Sequence, residues 1–415
     1  MSQEPPDSLD VWLDDALVAR LTVNRRREPR LRYLSAYVDQ RGEGALGLSV
    51  PLPVAGRPYR GDVVDHWIEG LLPEGETRTV LERYFRIRRG DGFGLLRALG
   101  RDCAGAVTLL PSEEAPPDDL HGALRPMSAD EVSEAVSSLR QRPLGVDEET
   151  RVSLGGLQSK LLLVQTPEGW ARPHAGVPST HILKPDPPEH PGLVAAEAFA
   201  QKAAALAGLE VAESTLDTFG GRTVIVVKRF DREDRAGRLR RIHQEDGCLA
   251  LGVDPGLGKY QALDGAASYR RLAGVLDAYA ADGSRELRRL AAMMTFTIAI
   301  GNTDAHLRNH AFLHSGGTLS LAPIFDAAPT SAFPGTRQLA LWVDDQALLS
   351  VVTRGHLVRE MTSWGLAQKV AESVMDSTLA RLAAAYPQAA LAVPEVPSAI
   401  VQSCRDRTDR LLSGA

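Results

Sequence analysis

The run Arg222 to Lys228, RTVIVVK, restricts this chain more than any other stretch. Consecutive β-branched residues leave no alternating wet face, so the segment belongs at the centre of a covered sheet. An apolar helix pattern, LVAAEAFAQKAAALAG ending at Gly208, precedes it, and from about residue 268 the periodicity is mostly helical. Short strands are expected within that helical part at AFLH and LSLAP. A mixed sheet lobe followed by a helical lobe makes the expected class α+β.

Ahead of the sheet lobe lies a smaller module. Between residues 9 and 110, strand patterns at LDVWL, ALVARLTV and LRYLSAYV give way to helical periodicity at VVDHWIEGLL and TRTVLERYF. Residues 111–126, PSEEAPPDDLHGALRP, are rich in proline and acid, as a connection between domains would be. Beyond it, Ser128 and Glu131 have capping-box spacing at the start of a helix, and RVSLGGLQSKLLLVQ reads as strand, loop and strand. The expected domains are therefore a small α+β module at 9–110, a linker at 111–126, a sheet lobe at 127–231 and a helical lobe at 232–415.

Composition narrows the function classes. A net charge of -6 leaves the chain without the overall basicity of a nucleic-acid binder. Cys103, Cys248 and Cys404 are far apart, which suits reduced thiols in a cytoplasmic protein and suits neither a disulfide framework nor a zinc site. The acidic start, MSQEPPDSLDVWLDD, lacks the features of a signal peptide, and no apolar run approaches the roughly 18 residues of a membrane span. Basic residues are overwhelmingly arginine, and lysine occurs only at Lys160, Lys184, Lys202, Lys228, Lys259 and Lys369. A compact ammonium serves as a point charge on phosphate, so these positions are candidates.

The chemistry is carried by TDAHLRN, Thr303 to Asn309, and by Asp326 in LAPIFDAAPT. An aspartate, an asparagine five positions later and a second aspartate downstream are the groups a kinase uses to orient a hydroxyl and hold magnesium. Asp304 would accept the hydroxyl proton, and Asn309 and Asp326 would hold Mg2+. His306 could orient Asp304 or approach a phosphate. The apolar run MMTFTIAIGN should end its helix at Gly301 or Asn302 and leave these groups on a loop. Upstream, SLGGLQSK supplies a glycine turn whose bare backbone could approach phosphates. Lys184 ends the strand HILK, Glu197 lies on the next helix, and Lys228 to Arg232 form a strand end where a kinase chain crosses between lobes. A solvated helix face would equally explain Glu197, and turn capping would explain Asp231.

These residues resemble the HipA family, the serine/threonine kinase toxins of bacterial type II toxin-antitoxin modules. The similarity runs nearly end to end, through LPEGETR, LLRALGRDCAGAVTLLP, SLGGLQSK, THILKPD, VKRFDR, HQEDGCLALG, TDAHLRN and FDAAPT. It implies a HipA-like kinase fold, ATP with Mg2+ as cosubstrate, and transfer to a protein serine. It carries ATP contacts to Gly155, Gly156, Leu157, Gln158, Ser159, Lys160, Lys184, Lys228, Arg229, Phe230, His306, Asn309, Phe325 and Asp326. It places catalytic roles on Asp304, His306 and Asn309, and an inactivating autophosphorylation on Ser153. The implied partner is a HipB-like helix-turn-helix antitoxin that contacts operator DNA in the kinase's stead, and the implied substrate class is aminoacyl-tRNA ligases such as glutamate tRNA ligase. Lys228 departs from members that carry an acidic residue there. A small-molecule or phosphoinositide-like kinase, or a catalytically weak corepressor acting with a DNA-binding partner, would share parts of the pattern.

Overall fold

The structure is a computed structural model that describes residues 7–39, 45–51, 57–112, 114, 124–146, 152–154, 158–174, 176–235, 238–263 and 265–414. Most of the linker expected at 111–126 lies outside the described residues, as do Gly155, Gly156 and Leu157 of the glycine loop. The chain forms two compact units. One comprises Met1–Leu183, Asp231–Gly256 and Leu313–Gly317, the other Lys184–Phe230, Leu257–Phe312 and Thr318–Ala415.

The first unit opens with β1 (Ser8–Leu13), β2 (Ala16–Val23), β3 (Pro29–Tyr33), α1 (Ser35–Asp39), β4 (Tyr59–Arg60), α2 (Asp62–Gly70), α3 (Gly75–Tyr84), α4 (Gly92–Leu99) and β5 (Val107–Pro111). The strands form an antiparallel sheet in the order β4-β3-β2-β1-β5. Alternation places Leu9, Val11, Leu21 and Leu31 in a core shared with Trp67, Leu72 and Leu96. The expected strand LRYLSAYV is only half strand. Pairing stops after Tyr33, and Tyr37 and Val38 direct their N–H groups back to Leu34 O, which begins α1.

Next come β6 (Leu124–Pro126), α5 (Ala129–Ser137), β7 (Leu161–Thr166), β8 (Gly169–Pro173) and β9 (His181–Pro185). The capping box on α5 is present, with Ser128 and Glu131 bonded reciprocally. β8 pairs with both β6 and β7, and β7 pairs with β9 through Leu161↔Leu183. Of the strand expected around Val152, the described residues 152–154 show a bridge to Asp102, whose carbonyl accepts the Ser153 N–H at 2.9 Å.

Asp102 organises this region. Its carboxylate is 1% exposed and accepts Arg232 Nη2 at 2.7 Å, Ser179 N–H at 2.9 Å and Ser179 Oγ–H at 2.6 Å. Arg232 also donates to the carbonyls of Cys103 and Gly105. Two opposite charges removed from water are tolerable only with this degree of satisfaction.

The second unit begins at Lys184 and contains α6 (Leu193–Leu206), β10 (Ser214–Phe219) and β11 (Arg222–Lys228). Gly220 and Gly221, both at positive φ, close the β10–β11 hairpin, where the tight turn needs left-handed residues. As the β-branched run requires, Val224 and Ile225 are fully buried and Val226 and Val227 nearly so. The chain then returns to the first unit for β12 (Arg232–Arg235), β13 (Arg238–Arg241), β14 (Gln244–Asp246) and α7 (Gly247–Leu251).

The rest is mostly helical, as the periodicity requires: α8 (Tyr269–Tyr279), α9 (Gly283–Ile300), β15 (Ala311–Ser315), β16 (Thr318–Leu321), β17 (Gln338–Val343), β18 (Gln346–Leu348), α10 (Arg354–Ser363), α11 (Gln368–Ala392) and α12 (Ser398–Ser413). β15 and β16 fall where AFLH and LSLAP place them, whereas the β17–β18 hairpin was not legible as strands. In the second unit, α11 packs against α6, where the rings of Phe199 and Tyr386 stack at 5.9 Å, and also against α9. All three cysteines are free and buried, and no described helix is long and apolar enough to cross a membrane.

Replacing Arg232 by alanine leaves the Asp102 carboxylate buried without its cation, and is expected to destabilise the first unit by about 3–5 kcal/mol. Urea unfolding of wild type and variant measures this, and an unchanged midpoint would contradict the role given to the pair.

Candidate functional site

The residues proposed to handle phosphate and metal in the second unit are positioned by buried backbone. Lys184 stands near the end of β9, where its side chain is 8% exposed. Its ammonium donates to Glu197 Oε1 at 2.6 Å and to Asp326 Oδ1 at 2.7 Å. Burial by itself would push the Lys184 pKa down, but the Asp326 and Glu197 carboxylates outweigh it and hold the group above its ordinary value. Lysine is therefore a fixed cation throughout the neutral range. Stability contributed this way is complete below the ordinary lysine pKa and is lost only when pH climbs through the raised folded value.

Glu197 is 2% exposed, so the solvated-face reading of this residue does not hold. It lies on α6, whose N-terminus is fixed by Asp186: one carboxylate oxygen accepts Gly192 N–H at 2.5 Å and the other Val194 N–H at 3.1 Å. Behind Glu197, Gln201 Nε2 donates to Glu197 Oε1 at 3.1 Å and Ser214 Oγ donates to Gln201 Oε1 at 2.5 Å. The ion pair is thus braced from α6 and β10.

Asp304, His306 and Asn309 follow α9, which stops where the sequence expects. Gly301 caps it at φ 76°, and a Cβ there would collide with Ser331 Oγ and Arg407. The loop is then held by side chains: Asn302 Oδ1 accepts Asp304 N–H at 2.9 Å, Thr330 Oγ1 accepts Thr303 N–H at 2.7 Å, and Asn309 Nδ2 donates to Asp304 O at 2.9 Å. Asp304 is exposed within a loop whose neighbours, from Asn302 to Arg308, are otherwise buried. With its amide nitrogen directed at Asp304 O, Asn309 would offer its oxygen to a metal ion. Asp326 sits at φ 52°, a left-handed conformation uncommon for a side chain with a Cβ, and is fixed there by Lys184.

The remaining expected residues are distributed as follows. Phe230 and Phe325, both in the second unit, place their rings 5.3 Å apart. Arg229 is buried, while Lys228 is exposed and pairs with Glu213 at 3.0 Å. Ser153, Gln158, Ser159 and Lys160 belong to the first unit. Ser153 is fully buried and donates its hydroxyl to Leu71 O at 2.6 Å. Asp231 does more than cap a turn: its Oδ2 accepts Gly105 N–H at 2.8 Å and Gln244 Nε2 at 3.0 Å, within the first unit. Tyr260, which meets Asp304 Oδ1 at 3.3 Å, escaped the sequence reading. Its only signal was the scarce lysine beside it.

Comparison with known proteins identifies the family. A family model described as HipA-like C-terminal domain matches residues 152–386, and one described as HipA N-terminal domain matches residues 9–110. The chain belongs to the HipA family. Its HipA-family relatives include Y4mE of Sinorhizobium fredii, 35% identical over 336 residues, covering 79% of this chain and 78% of that protein. Another is the serine/threonine-protein kinase toxin HipA of Shewanella oneidensis, 27% identical over 403 residues and covering 94% and 90%. Among solved structures, the Shewanella oneidensis HipA, HipB and operator DNA complex contains a chain that matches with a TM-score of 0.82 at 25% identity, covering 98% and 96%. The chain therefore has the HipA kinase fold.

In this HipA-family chain two buried histidines make stability depend on pH. His310 follows the Thr303–Asn309 loop and donates through Nδ1 to His306 O at 2.9 Å; burial pushes its pKa down to about 4. His243 of the first unit is pushed down to about 3 by burial and by His314. Both are neutral when folded and take up a proton on unfolding below their ordinary value of 6.5. Stability is complete above that value and falls as pH drops toward the folded values, by roughly 1.4 kcal/mol per histidine one pH unit below the unfolded pKa. Urea unfolding at pH 7.5 and pH 5.5 tests this, and a midpoint that does not fall would refute it.

Proposed function

We propose that the chain transfers the γ-phosphate of ATP to a serine hydroxyl of a cellular protein, with Asp304 as proton acceptor and with Asn309 and Asp326 as the protein ligands of Mg2+. The observation that carries the reading is the Lys184 ammonium, bridging Glu197 and Asp326 in the same unit that presents Asp304 on a braced loop. Glu197 is a fixed counter-charge, and Lys184 is left as a cation for phosphate oxygens. Two side-chain oxygens suit magnesium, which commonly keeps waters and substrate phosphates as its other ligands. Bound there, the ion would neutralise phosphate charge as the bond to ADP breaks.

In the transfer itself the serine oxygen attacks phosphorus in line with the departing ADP oxygen, and its proton passes to the Asp304 carboxylate. Positioning and charge do most of this work, because little covalent chemistry falls to the protein. The exposed Asp304 on a buried loop suits a large acceptor. His306, buried beneath it, keeps the loop in shape through its backbone: its N–H donates to Asp304 O at 2.8 Å and its carbonyl accepts Asn309 N–H at 2.9 Å. Gly155 to Lys160, Lys228 to Phe230 and Phe325 are assigned as ATP contacts on the family resemblance.

The Shewanella oneidensis complex with HipB and operator DNA supports a HipB-like antitoxin as partner. The net charge of -6 suits a chain that leaves most DNA contact to that partner. A toxin acting in the cytoplasm on an aminoacyl-tRNA ligase, with residues 9–110 and the two later lobes as its domains, fits the same reading. Ser153 is proposed as an inhibitory autophosphorylation site. Its hydroxyl must first leave Leu71 O, so modification requires that buried segment to open.

Incubation with labelled ATP, Mg2+ and a bacterial lysate, followed by mass spectrometry, tests the assignment. Label is expected on a lysate serine and on Ser153. Asp304→Asn and Asp326→Asn should each lose it by at least about 1,000-fold, Lys184→Met should lose ATP affinity, and Ser153→Ala should lose only the self-label. Folded wild-type protein that binds ATP yet labels nothing would defeat the kinase reading.

A further inference from the structure

The segment between α7 and α8 is fastened to the catalytic loop at successive residues, all within the second unit. Lys259 O accepts Leu307 N–H at 3.2 Å. Tyr260 donates its phenol O–H to Asp304 Oδ1 at 3.3 Å, and its ring stands edge-on to His306 with centroids 5.3 Å apart. Gln261 N–H donates to Ala340 O at 2.9 Å, and Ala340 N–H donates in turn to Thr303 O at 3.0 Å. Three consecutive residues thus touch the loop or the strand that holds it, and the middle one reaches its reactive carboxylate.

Asn302 and Asn309 act on Asp304 through its main chain, which sets where the residue starts but not how its side chain turns. The phenol acts on the carboxylate. An exposed aspartate has several open rotamers, which differ in where they place the carboxylate oxygens. A donor on Oδ1 selects among them. The Tyr260 ring is itself held, by His306 on its edge and by Lys259 Nζ at 5.3 Å from its centroid.

We propose that Tyr260 is a positioning residue for phosphoryl transfer, holding the Asp304 carboxylate in the orientation that receives the serine proton. The proposal rests on the reading of Asp304 as proton acceptor. It assigns the sequence around Gly258, Lys259 and Tyr260 a part in the reaction that the kinase template does not contain. The phenol contacts neither ATP nor metal in this role, so its removal should slow transfer and leave nucleotide binding alone.

The test is Tyr260→Phe, which keeps the ring against His306 and removes only the hydroxyl, with Asp304→Asn and Tyr260→Leu in parallel. Labelled-phosphate transfer into lysate protein is followed in full-length chain, with KM for ATP and thermal midpoint. For Tyr260→Phe the rate at saturating ATP is expected to fall roughly ten-fold, the loss of one hydrogen bond to a charged group. KM for ATP and the thermal midpoint should stay at wild-type values. Tyr260→Leu should lower the thermal midpoint as well, because the ring goes with the hydroxyl. A wild-type rate in Tyr260→Phe would overturn the proposal, as would a slowed rate accompanied by a raised KM for ATP or a lowered thermal midpoint, the mark of a purely structural residue. An Asp304→Asn protein that still transfers phosphate would overturn the underlying reading itself, whatever Tyr260→Phe does.

Discussion

A buried ammonium cannot exist without opposite charge, and Lys184 imposes that condition on the second unit. Its side chain is withdrawn from water and meets two carboxylates, one from α6 and one from the segment after β16. Each must therefore be delivered to a fixed point. Asp186 seats the start of α6, Gln201 and Ser214 brace Glu197, and the pairing of Ile324 with Val211 brings Asp326 into range. Removing Glu197 would leave the buried ammonium facing the half-exposed Asp326, a weaker counter-charge.

The Thr303–Asn309 loop answers the opposite requirement. In the proposed reaction Asp304 has to be wet enough to meet an acceptor, yet held as firmly as a core side chain. The chain resolves this by burying what surrounds Asp304 and exposing the residue itself. A helix that ends abruptly at Gly301, two asparagines spent on main-chain contacts and a tyrosine on the carboxylate supply the stiffness. The left-handed Asp326 belongs to the same logic, since a strained backbone persists only where neighbours over-determine it.

In the first unit the dominant feature is again a satisfied buried charge, Asp102 with Arg232, and it reaches Ser153 through the Asp102 carbonyl. A serine whose hydroxyl is sealed against Leu71 O is a poor acceptor while the unit is intact. If phosphate is placed there, its charge cannot be accommodated in the same position, so modification and rearrangement of this segment are one event.

Much of the fold and of the candidate chemistry was legible because it is local. The β-branched run, the periodicity of α6 and α9, the capping box at Ser128 and the spacing in TDAHLRN each depend on residues within a few positions of one another. Local signals failed where tertiary contact prevailed: LRYLSAYV turned into helix after Tyr33, and the β17–β18 hairpin gave no strand pattern. The sequence by itself determined most of the helices and strands, the order of the charged groups and the family to which they belong. Only the tertiary structure decided that Glu197 is buried against Lys184, that Asp326 joins them from 142 residues away and that Tyr260 reaches Asp304. Periodicity reports which face of an element is dry, whereas the partner across that dry face is chosen by packing between segments distant in the chain.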